Sequence, residues 1–228
     1  AQLIFSILNV ARGGSPVNTE AISEEQIGWT IDLVRAKLIR QDLAKKRTLS
    51  HDLVQTLCIN MAQADASDCP CEVAGCQVLK STINIPPAIE LNDKNLIVSV
   101  GPVDLTMPRY NLIPYYRAIW FNPSRFSGSV NGAFIHNSRL YIISKSLKAS
   151  MIEKVSMQIV LEVPADASLF ACSGVSCFTD ESTYPVSSAM VPDIQNIILT
   201  TVLKIEANSP SDQKANSKHD LQPNIEQE

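Results

Sequence analysis

Apolar positions change period along this chain, and the changes divide it into four regions. Near the N-terminus, Leu3, Ile7, Leu8, Val10 and Ala11 recur at helical spacing, and Gly13-Gly14 with Pro16 supply a stop. A second helix is predicted from Ser23, where Ser23-Glu24-Glu25-Gln26 forms a capping box, to about Lys46. Ile27, Ile31, Val34 and Leu38 make one apolar stripe on it; Trp29, Leu33, Ala36 and Leu43 make a second, rotated stripe. Glu24 and Glu25 open the helix and Lys45, Lys46 and Arg47 close it, which complements the helix dipole. Two stripes exceed what one core contact needs. The second is either buried between the first helix and a sheet or turned toward a neighbouring subunit.

From about Ser50 to Asp180 the pattern is that of strands. Asn95 to Val100, Arg117 to Phe121, Ala133 to His136, Arg139 to Ser144 and Lys154 to Val163 are rich in Ile, Val, Tyr and Phe. In the last of these Val155, Met157, Ile159, Leu161 and Val163 alternate with polar Ser156, Gln158 and Glu162, which predicts one wet face. Asn137-Ser138 is a tight-turn candidate, and Asn131-Gly132 is the strongest turn dipeptide in the chain. Short strands with turn signals predict a compact antiparallel sheet or a small barrel, with no readable strand order. A third helix is predicted from Val191 to Ala207. Pro192 and Asp193 suit its first turn, and Ile194, Ile197, Ile198, Val202 and Ile205 give it an apolar face. The remainder, Ser209 to Glu228, is polar and disordered unless it orders against a partner. The expected class is α+β: an N-terminal helical hairpin over 1–49, a small, mostly antiparallel β domain over 50–187, a C-terminal helix over 188–208 and an extended tail over 209–228.

One segment specifies shape more than chemistry. Val100 to Trp120 holds three prolines, Pro102, Pro108 and Pro114, and four aromatics, Tyr110, Tyr115, Tyr116 and Trp120. Prolines fix the backbone path, and Tyr and Trp offer large amphipathic area suited to protein contacts.

Composition narrows the function classes. A net charge of -4 over 228 residues gives no support to binding nucleic acid through its phosphates. No apolar run approaches bilayer length, and no basic region precedes Leu3 to Val10, so the expectation is a soluble protein without a signal peptide. Cys69, Cys71 and Cys76 lie close together, Cys172 and Cys177 form another close pair, and Cys58 stands apart. The two groups are weak candidates for zinc thiolates, since their spacing is not a common paired pattern and no His lies near. Reduced thiols in a cytosolic product are the default expectation. His51, His136 and His219 are not at metal-binding spacing, and no nucleophile elbow, phosphate-cradling loop or dinucleotide fingerprint is present. No enzyme and no cofactor are therefore expected. A cysteine nucleophile with a distant His is the enzymatic alternative.

Several strings carry a family resemblance. Arg12-Gly13-Gly14 follows the first helix, and Arg35-Ala36-Lys37-Leu38-Ile39-Arg40-Gln41-Asp42 lies in the second. Gly75-Cys76-Gln77-Val78-Leu79-Lys80 and Val100-Gly101-Pro102-Val103-Asp104 come next, then Ile113-Pro114-Tyr115 and Arg117-Ala118-Ile119-Trp120. Tyr184-Pro185-Val186 and Met190-Val191-Pro192 lead into the C-terminal helix and a polar tail with Asn216 and Asp220. From Gln2 to about Asp220 the chain resembles a neck ring, or head–tail connector, protein of crAss-like tailed phages of Bacteroidetes. The resemblance implies a virion structural protein, assembled in the bacterial host cytoplasm, that docks beneath the portal in a closed ring with the portal's twelvefold symmetry. It further implies contact with neighbouring neck or tail rings, a channel close to packaged DNA, no membrane, and no catalytic residues. A closed ring needs two different adhesive patches per subunit. The candidate interface residues are Trp29, Leu33, Arg40, Pro102, Tyr110, Tyr115, Tyr116, Trp120, Ile194 and Ile198. The alternative from another class is a small cysteine-rich, zinc-stabilised protein-binding module.

Overall fold

The computed structural model describes residues 2–11, 23–45, 48–64, 78–91, 94–104, 106–121, 131–143, 152–172, 174–179 and 182–202. The expected stop at Gly13-Gly14-Pro16, the cysteines Cys69, Cys71 and Cys76, the end of the C-terminal helix and the polar tail lie outside them. The helices are α1 (Gln2–Ala11), α2 (Glu24–Ala44), α3 (Tyr115–Phe121) and α4 (Val191–Ile197), the last continuing as a π-helical turn, Ile198–Val202. The strands are β1 (Gln55–Gln63), β2 (Val78–Ser81), β3 (Glu90–Leu91), β4 (Lys94–Asn95), β5 (Ile97–Pro102) and β6 (Asn111–Leu112). They continue with β7 (Gly132–His136), β8 (Arg139–Ile143), β9 (Lys154–Ile159), β10 (Ala171–Cys172) and β11 (Val175–Ser176). This is the expected α+β architecture.

The chain divides into two compact units, Ala1–Arg35 with Ser188–Glu228, and Ala36–Ser187. The first is helical. It holds α2 as far as Arg35, and that helix starts on its expected N-cap, with Gln26 N–H donating to Ser23 Oγ at 3.1 Å and Ile27 N–H to the Ser23 carbonyl at 3.2 Å. Ile7 and Leu8 of α1, Ile27, Ile31 and Val34 of α2, and Ile194 and Ile198 are buried in this unit. A polar contact, Gln195 Nε2 to Ser6 Oγ at 3.2 Å, ties α4 to α1.

The second unit is built on a seven-stranded sheet in the order β5-β9-β1-β2-β8-β7-β6. Every pair is antiparallel except β6 with β7. Tyr110, immediately before β6, then bridges back to Val100 of β5, its N–H donating to the Val100 carbonyl at 2.8 Å. The two edges of the sheet meet there, so the open choice between sheet and small barrel resolves toward closure, which removes edges prone to aggregation. Alternate residues from all the central strands fill one face: Leu57 and Ile59, Val155, Met157 and Ile159, Leu140 and Ile142, Val100 and Ala133 form one buried cluster. On the opposite face of β7 and β8, Phe134, Tyr141 and Ile143 pack with Ala118 of α3.

Two sequence expectations are corrected here. Arg117 to Phe121 is helix, not strand. The run Tyr115–Phe121 is apolar at nearly every position, so its periodicity cannot separate the two. Pro114 decides it locally: its carbonyl accepts from Arg117 N–H at 2.9 Å in the first turn. Asn131-Gly132 is not a turn. Gly132 opens β7, and the Asn131 carbonyl accepts from Asn111 N–H at 3.0 Å, extending the parallel ladder. Asn137-Ser138 is the hairpin turn expected, with φ of 47° and 57° at the two positions, both left-handed. The β9 strand ends at Ile159, short of Val163, but the chain keeps pairing: Val160 N–H donates to the Leu96 carbonyl and Glu162 N–H to the Pro87 carbonyl.

Candidate assembly surfaces and a cysteine cluster

The Pro/Tyr segment folds as a shaped loop pinned at both ends. Gly101 leaves room for Arg109 in it, because a Cβ there would lie 2.6 Å from Arg109 Cδ and 3.2 Å from Arg109 Cα. The Arg109 guanidinium fills that gap and donates to the Pro102 carbonyl at 3.1 Å. Asp104 closes a local turn: Thr106 N–H and Oγ1 both donate to its Oδ1, at 2.9 and 2.7 Å, which holds the carboxyl below the ordinary carboxylate range. Tyr110 is buried in the subunit's own core, and that burial pushes its phenol up, a shift that a hydrogen bond with Asn131 opposes.

The other tyrosines behave differently. Tyr115 stacks flat on His136, with centroids 3.9 Å apart, and Tyr116 is 67% exposed. With Val103, Met107 and Leu112, also exposed, they make the loop and the start of α3 an apolar display. Pro102 is half-buried. The backbone of Trp120 lies in α3; its side chain is outside the described residues.

The helical unit carries a second display. Trp29, 65% exposed, and Leu33 lie on the outer side of α2, and Phe5 and Val10 are exposed on α1. The rotated stripe is thus split: Trp29 and Leu33 face outward, while Ala36 is buried. Arg40 makes an ion pair with Glu162 inside the second unit. Ile194 and Ile198 are fully enclosed in the helical unit, so the subunit's own packing already uses these two interface candidates.

The cysteines depart most from expectation. Cys58, which stands alone in the sequence, forms a disulfide with Cys172, 114 residues away, with Cα atoms 5.3 Å apart. The default of reduced thiols is corrected at this pair. Cys177 Sγ lies 3.8 Å from Cys172 Sγ, and all three sulfurs fall within 4.8 Å of one another. Strand alternation explains the meeting. Leu57 and Ile59 point into the core, so Cys58 points to the other face of β1. In the β10–β11 hairpin, Cys177 N–H donates to the Phe170 carbonyl at 2.8 Å, which brings Cys172 and Cys177 to diagonal positions on one face. A sequence reading could place Cys58 on that outer face, but not its partner.

For chemistry, a shallow groove of about 380 Å³ is lined by Pro86, Pro87, Glu90, Asn95, Ser138 and Glu162 among others. Its lining offers carboxylates and a hydroxyl but no histidine, cysteine or cation. His136 is engaged by Tyr115, and His51 sits in an exposed turn. Among the described residues no helix is long and apolar enough to cross a membrane.

No curated protein matches this chain. A protein family described as phage tail ring protein 2 matches residues 2–221, nearly the whole length and both units. A fold rich in shaped loops and exposed apolar faces accords with that match, and the chain belongs to the phage tail ring protein 2 family, structural ring proteins of crAss-like phage virions.

Proposed function

We propose that this subunit closes into a homo-oligomeric ring at the neck of the virion, docking on the portal side and continuing the DNA channel toward the tail. The portal's twelvefold symmetry is the copy number the ring would match. The observation that carries this reading is the pair of dissimilar apolar displays, Trp29 and Leu33 on α2 and the Val103–Tyr116 segment in the other unit. A heterologous, head-to-tail contact requires two different patches on each subunit, whereas a two-fold dimer would need only one.

Complementation tests this. Trp29→Asp with Leu33→Asp should abolish rings, as should Met107→Asp with Tyr116→Asp, seen by native mass spectrometry and electron microscopy. An equimolar mixture of the two variants should form dimers and nothing larger, because each retains one intact patch. Rings formed by either variant alone, or wild-type chain that stays monomeric with and without portal, would refute the reading. The zinc-stabilised binding module is the second reading, favoured only by the cysteine cluster. That cluster joins parts of one subunit.

A further inference from the structure

Three sulfurs converge where a disulfide needs two. Cys58 is held mid-strand in β1, paired through Cys58↔Ser156 to β9. Cys172 and Cys177 sit on the two sides of the β10–β11 hairpin, whose backbone pairing fixes them before any bond forms. We propose that, once the Cys58–Cys172 disulfide is reduced, Cys58, Cys172 and Cys177 bind one zinc ion as thiolate ligands. The hairpin is then clamped to β1 by metal under reducing conditions and by the disulfide under oxidising ones.

Geometry and chemistry agree on the ion. Two sulfurs about 2.3 Å from a tetrahedral zinc lie about 3.8 Å apart. Cys172 and Cys177 are separated by 3.8 Å; Cys58 Sγ, bonded to Cys172 in the disulfide, lies within 4.8 Å of Cys177 and has only to part from Cys172 on reduction. Thiolates select soft or borderline ions over calcium or magnesium. Cys58 is buried, while Cys172 and Cys177 are half-buried, so the ion is shielded on the sheet side and has an approach from the hairpin side. The fourth position of a tetrahedral ion is left to water or a ligand beyond the cluster. In the disulfide state Cys177 packs against the core cluster as a free thiol; the metal state uses all three sulfurs as ligands.

The two states interconvert by balanced chemistry. A dithiol reductant supplies two electrons and two protons, breaks the S–S bond to give Cys58 and Cys172 thiols, and leaves as its own disulfide. Zinc binding then displaces the three thiol protons to solvent.

Cobalt is a direct probe, because thiolate ligation gives a sulfur-to-metal charge-transfer band that zinc displaces. Full-length chain with Cys69, Cys71 and Cys76 changed to serine should bind one equivalent of cobalt when reduced and none when oxidised. Cys177→Ser in that background should lose the band and weaken metal binding at least 100-fold. It should keep the disulfide and the circular dichroism of the oxidised protein, because Cys177 is not in the disulfide. The proposal is overturned if the reduced chain binds no cobalt or zinc. It is equally overturned if Cys177→Ser binds as tightly as its parent, or if the oxidised chain binds as well as the reduced one.

Discussion

Single residues in this protein carry constraints that composition hides. Gly101 leaves room for the close approach of Arg109 rather than serving an unusual backbone angle. Gly101→Ala should destabilise the second unit by about 1–3 kcal/mol, the range for forcing extra atoms into a packed site. Chemical denaturation measures this, and an unchanged midpoint would mean that Arg109 swings aside at no cost. Asp166 gives a pH signature. Burial raises its carboxyl above the ordinary value, so the folded state holds the proton more tightly than the unfolded one. Its favourable contribution is present below the unfolded value and is lost as pH rises through the folded one. Asp166→Asn should therefore raise the thermal midpoint at neutral pH, with the gain shrinking on acidification; a gain that grows in acid would contradict the burial cause. Cys58 and Cys177 belong to this scale too, since neither has a role visible without its spatial neighbours.

At the scale of elements, local signals predicted α1, α2 and the start of α4 well, and α3 and the strands less evenly. The Ser23 cap and the Ile27, Ile31, Val34 stripe define α2 from within a few residues of sequence. Ser23→Ala should cost about 1 kcal/mol, read as a lowered unfolding midpoint of the helical unit. The outward residues of the same helix behave oppositely. Trp29→Ala should change monomer stability by no more than about 0.5 kcal/mol, since its side chain is mostly in water. Ring formation should nevertheless suffer, and a large stability loss with normal assembly would reverse that assignment. The helix α3 escaped the sequence reading because seven residues without a polar rhythm fit either period. The central strand β1 was not singled out, although Leu57, Ile59 and Met61 alternate within it; its intervening Cys58 and Ala62 blur the polar face.

The whole molecule is organised by contacts far apart in sequence. The disulfide spans 114 residues and closes most of the second unit into one loop. In the chain-entropy account, a loop of that length contributes on the order of 4–5 kcal/mol. Reduction with a chelator present should lower the unfolding free energy by about that much, and zinc added to the reduced protein should recover part of it. If reduction leaves the denaturation midpoint where it was, the covalent clasp contributes nothing beyond the core.

The sequence by itself determined the α+β class, the capped second helix, the Asn137-Ser138 turn and the family. These depend on neighbours within a few positions or on ordered strings of residues, and such information survives in one dimension. Only the tertiary structure decided that the sheet's edges meet at Val100 and Tyr110, and that Tyr110 turns inward while Tyr116 stays in solvent. It also decided that Cys58 joins Cys172 and Cys177. Each of these is set by which distant strand lies alongside. Strand pairing is a competition among many registers of similar local propensity, settled by burying the Leu57, Met157 and Ile142 cluster as a whole.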